Sequence, residues 1–324
     1  MNTPNNKSEL RSSNKNEISS FNVPEVLYNN RYCNQDDFNI LICGGLKNGE
    51  VVRNCFLKIP SNFATTKELP PMLEPVYRCQ TAVINSDIFV AGGLSPNNDP
   101  INSIAMFSYK NKVWRNLDLT SNTHYDFCIC TFNKNLYIVG VLDQNDTVYQ
   151  KTCCCKVYDI KKNKWCDIAS TNQLRAGTSS CTVFEGKIVF TGGLFSSHSV
   201  ETYDYHDNKW NYLPSMTDRR YGHSTVSMGN KLFVVGGYKT SSCEVFDSKS
   251  RKFVILKQVS NMPNFDKNIF KSVCIGDNIV VFIDDVVKFG TQIYSFDVCE
   301  EKWSHCDSKL VAKFGMSYVK YPMQ

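Results

Sequence analysis

Ile188-Val-Phe-Thr191 runs directly into Gly192-Gly193, and Tyr203 and Trp210 follow, seven positions apart. Working outward, the arrangement recurs five more times. The apolar runs are Ile40-Leu-Ile-Cys43, Ile88-Phe-Val-Ala91, Leu136-Tyr-Ile-Val139, Leu232-Phe-Val-Val235 and Ile279-Val-Val-Phe282. They end in Gly44-Gly45, Gly92-Gly93, Gly140-Val141, Gly236-Gly237 and Asp284-Asp285, so successive doublets are 48, 48, 52, 44 and 48 residues apart. The aromatic pairs are Phe56/Phe63, Phe107/Trp114, Tyr158/Trp165, Phe246/Phe253 and Phe296/Trp303, each with the same spacing of seven. A run that is apolar at every position suits a strand buried on both faces. Six copies predict a closed array of modules, each covering the faces of its neighbours.

A period near 50 with a glycine doublet and paired aromatics resembles the kelch motif, the repeat of a β-propeller, over roughly residues 38–320. The resemblance implies an all-β, six-bladed ring of four-stranded antiparallel blades. In it, Gly-Gly supplies backbone angles closed to other residues and the second aromatic fills space between sheets. A first strand precedes each doublet strand in Arg78–Val83, Tyr125–Cys130, Gly177–Val183, Tyr221–Val226 and Ile269–Cys274. Blade one has none upstream, and a sixth copy, Lys313–Val319, stands near the C-terminus instead. The C-terminal strand is therefore expected to complete blade one and close the ring, which removes open sheet edges. Residues 1–37 form a polar lead-in rich in Asn, Ser, Lys and Glu, expected to be disordered, and residues 38–324 the propeller.

The lead-in lacks the apolar core of a signal peptide, and no stretch approaches the length of a membrane span. A soluble, cytoplasmic chain with no membrane contact is expected. The fifteen cysteines are odd in number, which argues against a disulfide framework. Those in strand runs, such as Cys43, Cys181 and Cys274, read as small buried hydrophobes. Cys153-Cys154-Cys155, flanked by Lys151 and Lys156, is the place to look for a redox-sensitive thiol, since nearby positive charge favours thiolate. There is no Cys-x-x-Cys pair, and no metal or cofactor is expected.

Some kelch propellers are enzymes, the copper oxidase acting on galactose among them, with tyrosine and histidine ligands gathered at one end of the ring. The histidines here are His124, His198, His206, His223 and His305, scattered among the repeats. Only His124, His198 and His223 stand where they could reach one face. No catalytic triad, phosphate loop or paired-carboxylate motif accompanies them, so a catalytic reading has no positive support. Basic residues exceed acidic ones by 36 − 31 = 5, and the excess is spread over turns such as Lys161–Lys164 instead of a stripe that would suit nucleic acid.

What the resemblance implies is partner recognition. In kelch propellers the loops joining the second strand to the third, and those joining blades, form the binding face around the channel, as loops on a rigid scaffold often do. Here those loops carry Tyr77, Arg78, His124, Tyr125, Arg175, Phe195, Arg219, Arg220, Tyr221 and Tyr238. Aromatic and arginine side chains are the usual hot spots. Arg78, Arg175, Arg219 and Arg220 are expected to make a cationic rim suited to an acidic or phosphorylated peptide. The chain is most similar to the propeller of the BTB-kelch (kelch-like) family, substrate adaptors of a cullin-3 ubiquitin ligase, other members of which bind actin. About 37 residues precede blade one, too few for the BTB and BACK domains. Either the sequence is part of a full adaptor or the propeller stands alone, reaching cullin-3 only indirectly or through a full-length relative. The segment is also too short and polar for an F-box.

Overall fold

The computed structural model describes residues 38–58, 65–101, 103–117, 127–141, 154–175, 180–194, 198–237, 240, 242–256, 268–285, 290–306 and 313–322. All of these belong to the compact unit Cys33–Gln324.

The apolar runs become the second strands of the blades, and the reason is visible at Ile40–Cys43. Ile40, Leu41, Ile42 and Cys43 are all fully buried. Leu41 and Cys43 pack with Ile88, Val90 and Phe107 of blade two, while Ile40 and Ile42 pack with Val280 and Phe282 of blade six. Side chains alternate across a strand, so a strand flanked by a neighbour on each side must be apolar throughout. One such cluster fills each of the six seams between consecutive blades.

Five blades follow chain order within a four-stranded antiparallel sheet. Their inner strands are Gln80–Ile84, Cys128–Phe132, Ser180–Phe184, Ser224–Met228 and Asn268–Ile275. Blade one is made differently, with Ser317–Pro322 pairing along Phe38–Cys43, Phe38 opposite Pro322 and Cys43 opposite Ser317. Ser317–Pro322 also touches the inner strands of blades two and six, which makes the circle of inner strands continuous. The expected closure is therefore present.

The spacing of seven is a hairpin length. In blades two to six the two aromatics lie directly opposite each other on the third and fourth strands, as with Tyr203 and Trp210. Their ring centroids are 4.9–5.2 Å apart. The residue two positions before the second aromatic, Lys112, Asn163, Asn208, Arg251 or Glu301, has φ between 47° and 59°. In blades three to six an Asp follows the first aromatic and accepts from backbone N–H groups of the turn, as Asp247 does from Lys249 and Ser250 at 3.2 and 3.1 Å. This Asx geometry fixes the loop length, and with it the register. Phe63, the second aromatic of blade one, lies outside the described residues.

The doublets end strands because their backbone turns left-handed where neighbouring blades come closest. Gly44 has φ +67°, and a Cβ there would lie 2.3 Å from the carbonyl oxygen of Val76. Blade six departs from this. Its second strand runs on through Asp284 and Asp285, opposite Thr291 and Gly290. Asp284 is fully buried and accepts from Thr291 Oγ1 at 2.6 Å and Gly315 N at 3.2 Å. The pair fills the place of a degenerate doublet with hydrogen-bonded strand instead of a turn.

Candidate interaction face and central channel

The loops between blades meet the loops that follow the doublets at one end of the ring. Tyr77 and Leu94 exchange backbone hydrogen bonds at 3.1 and 2.8 Å, and Gly193 N donates to Arg220 O at 3.1 Å. A small sheet of Leu46–Lys47, Glu50–Val51 and Lys313–Phe314 covers part of this end. Tyr77, Leu94 and Phe314 form an apolar cluster beneath it.

Two of the four arginines expected on the rim are not on it. Arg175 and Arg220 are fully buried. Arg175 Nη2 pairs with Glu201 Oε1 at 2.9 Å, and its Nη1 donates to the carbonyls of Gly192 and Ser199 at 2.9 and 3.0 Å. Arg220 repeats this, with Nη2 to Glu244 Oε1 at 2.9 Å and Nη1 to Gly236 and Ser242 carbonyls at 2.6 and 2.7 Å. Glu244 also accepts from the backbone of Thr217 and Asp218, at 2.6 and 3.0 Å. A guanidinium satisfied on every side in the interior is a strut, and burying it tolerates no missing partner. The cationic-rim expectation is corrected for these two residues. In blade two the equivalent positions are Val76 and Ala105, and a cavity of about 30 Å³ lies between them.

The sequence carried a signal for these struts. Each arginine stands 16 or 17 residues before its doublet, and each glutamate two residues before the first aromatic. The arginines lie in loops between blades and the glutamates in third strands, so the pairing becomes evident only when blade four is laid on blade five.

Arg78 and Arg219 remain as rim cations. Arg219 is exposed. Arg78 is half-buried, its φ is +58°, and its amide donates to Gly315 O at 2.7 Å. Its guanidinium lies 5.9 Å from the Tyr77 ring and 5.6 Å from that of Phe314, and its buried Nε has no hydrogen-bond partner among the described residues. Tyr77 is buried and its hydroxyl donates to Asn98 Oδ1, while Tyr221 is half-buried. His124, Tyr125, Phe195 and Tyr238 lie outside the described residues. Two exposed leucines that sequence reasoning passed over, Leu73 at 44% and Leu194 at 50%, stand on the same set of loops.

Of the three adjacent cysteines, Cys154 is exposed, Cys155 is buried and Cys153 lies outside the described residues. Lys156, expected to bias them toward thiolate, is ion-paired with Asp167 on the facing strand. Cys43 is buried, its Sγ 3.0 Å from that of Cys55, while Cys181 and Cys274 are partly exposed. His223 is buried at a seam with Nε2 2.8 Å from Thr191 Oγ1, and burial, reinforced by Arg220 and Arg175, pushes its pKa down to about 3. His206 is exposed. Among the described residues no three His, Cys, Asp or Glu side chains converge in metal-holding geometry, and no helix is long and apolar enough to cross a membrane. The inner strands enclose a cavity of about 430 Å³ along the ring axis.

With six blades closed by the C-terminal strand, comparison with known families is decisive. Residues 32–237 match the family model described as KLHDC2/KLHL20/DRC7 Kelch-repeats domain, and residues 219–259 match the Kelch motif. The chain belongs to the kelch-repeat family. Similar relatives include Kelch-like protein 38 of Rattus norvegicus, 26% identical over 56% of this chain and 30% of the relative. Kelch-like protein 41b of Danio rerio is 27% identical over 61% and 34%. Kelch repeat protein C2 of Vaccinia virus (strain Western Reserve) is 26% identical over 64% and 40%. The kelch chain thus spans about a third of the length of the curated relatives it matches. A kelch propeller with Kelch-like relatives is a protein-interaction module.

Proposed function

We propose that this chain recognises a protein or peptide on the doublet end of the ring, in the manner of the substrate-recognition propeller of a cullin-3 ubiquitin ligase adaptor. The observation that carries the reading is the combination of exposed Leu73, Leu194 and Arg219 with an Arg78 guanidinium held beside two aromatic rings. Exposed apolar side chains among cations on a rigid frame are the raw material of a hot spot, and ordering Arg78 before binding lowers the entropy lost on docking. The rim cations Arg78 and Arg219 favour an acidic partner. The cytoplasm is the compartment in which the chain would act.

The test is affinity capture from cells with the intact chain and with a Leu73→Asp/Leu194→Asp/Arg219→Ala variant, whose melting temperature should match the parent. A defined set of proteins should be lost from the variant. Cullin-3 among them supports the ligase role, whereas actin among them would replace it by a cytoskeletal one. Identical capture by both chains overturns the assignment of this face.

A further inference from the structure

In three seams of the ring, side chains of neighbouring inner strands stand at the same pair of levels. One blade supplies the residue opposite the position just before its doublet, and the next blade supplies the residue opposite the position before that. Between blades one and two these residues are Ser317 and Thr81, whose hydroxyl oxygens are 2.7 Å apart. Between blades four and five they are Ser180 and Thr225, and Thr225 N donates to Ser180 Oγ at 2.9 Å. Between blades three and four the same two levels hold Cys128 and Cys181. Sulfur thus stands where the other two seams place oxygen.

A third thiol joins them. Cys130 is two residues beyond Cys128 and therefore on the same face of its strand. Cys128 and Cys130 are buried in the cluster between blades three and four, and Cys181 packs against that cluster. The Cys181 thiol lies within hydrogen-bonding reach of both. The inner strands of the two blades touch, as a disulfide between them requires. All three cysteines line the central cavity of about 430 Å³, and Cys181 is partly exposed there, so a small solute in the channel reaches its sulfur. The Cys128 and Cys130 thiols, together with burial, hold the Cys181 pKa well above its ordinary range. Thiolate is then scarce at neutral pH, and the sulfur reacts slowly. Hydroxyls at these levels can only share a proton, whereas thiols can also be joined covalently.

We propose that Cys181 and Cys128 form an oxidation site in the channel wall, closed to a disulfide by hydrogen peroxide entering along the ring axis, with Cys130 as the alternative partner. The Cys181 sulfur attacks one peroxide oxygen, the O–O bond breaks, and a sulfenic acid and water result. The Cys128 sulfur then attacks that of Cys181, the S–O bond breaks, and a second water leaves. Two thiols lose two hydrogens and two electrons, and one peroxide becomes two waters. The new bond joins positions 181 − 128 = 53 residues apart and staples blade three to blade four. It forms inside the ring, so the site is independent of partner docking on the loops.

The full chain is treated with hydrogen peroxide over hours, its remaining thiols are blocked with iodoacetamide, and it is digested without reductant. Mass spectrometry should find Cys181 joined to Cys128 or Cys130. The melting temperature should rise by several degrees and return when dithiothreitol is added. Cys181→Ser, which restores the oxygen found in the equivalent seams, should abolish both the bond and the rise. Cys43 and Cys55 supply the comparison, because they lie opposite each other with Sγ atoms 3.0 Å apart but are fully buried and do not line the channel. They should stay reduced under the same treatment. Oxidation of that pair at the same rate would mean that peroxide enters by unfolding, and overturns the channel route. Products confined to exposed thiols such as Cys154, with no bond at Cys181, end the proposal. Should Cys181→Ser fail to fold, the mapping of the unaltered chain decides by itself.

Discussion

At the scale of single residues, the groups that matter most are those whose surroundings leave them no alternative. His223 is held neutral at a seam, with a pKa near 3 against an unfolded value of about 6.5. A depressed histidine pKa means the unfolded chain binds the proton more readily. Its contribution to stability is therefore complete above about pH 6.5 and lost as pH falls toward 3. Urea midpoints at pH 7.5 and 5 should differ, and His223→Gln should narrow the gap; an equal gap in the variant would mean that other groups carry it. Arg219 and Glu244 provide a second contrast. Glu244→Gln removes the buried partner of Arg220 and leaves it only the partly exposed Asp218 carboxylate at 3.3 Å, and should cost about 3 kcal/mol in denaturant unfolding. Arg219→Ala, one position from Arg220 but exposed, should stay within about 0.5 kcal/mol. Arginine type alone does not reveal this difference, because both residues precede the same inner strand and only the facing glutamate distinguishes strut from rim.

The elements were the most legible part of the chain. The run Ile40–Cys43 reads as a strand buried on both faces and is one, and the aromatic spacing reads as a repeat and proves to be a hairpin of constant length. Sequence reading failed where it relied on one residue pair standing for another. Asp284-Asp285 occupies a doublet position, yet nothing in two aspartates calls for left-handed backbone, and the strand continues through them. Likewise, Cys154 and Cys155 are neighbours in sequence but point to opposite faces of a strand, one exposed and one buried. The hairpin can be tested at Asn208, which has φ +47° and whose Oδ1 accepts from Tyr203 Oη and Ala169 N, both at 2.8 Å. Asn208→Ala should cost about 2–3 kcal/mol, from the left-handed backbone and the lost acceptor together, whereas Asn208→Gly should recover about 1 kcal/mol of it. Equal losses would mean that the conformation carries no penalty. At the same turns, the Ser250 hydroxyl, helped by the backbone N–H groups of Lys249 and Ser250, holds the Asp247 carboxyl below its ordinary range. That stabilisation is present above about pH 4 and fades as the carboxyl protonates at lower pH, so Asp247→Asn should flatten the acid limb of the stability curve.

At the scale of the whole molecule, the ring depends on a strand far from its partner in sequence. A chain ending at Lys309 lacks Ser317–Pro322, which leaves Phe38–Cys43 with one open edge and takes Met316 and Tyr318 out of the seam between blades one and six. Its melting temperature should fall by many degrees or its soluble yield collapse, and an unchanged midpoint would show that the circle is not mechanically continuous. The same pairing sets an order of events during synthesis. Phe38–Cys43 is translated before every other strand of the ring, yet its partner emerges 274 residues later, after a wait of roughly 15–55 s at about 5–20 residues per second. Throughout that interval a strand apolar from Ile40 to Cys43 offers unpaired backbone along one edge to any neighbouring nascent chain, and on a polysome the nearest candidate is a copy of itself. Blade one is therefore where a chaperone would be needed and where exchange of a closing strand between two copies would arise.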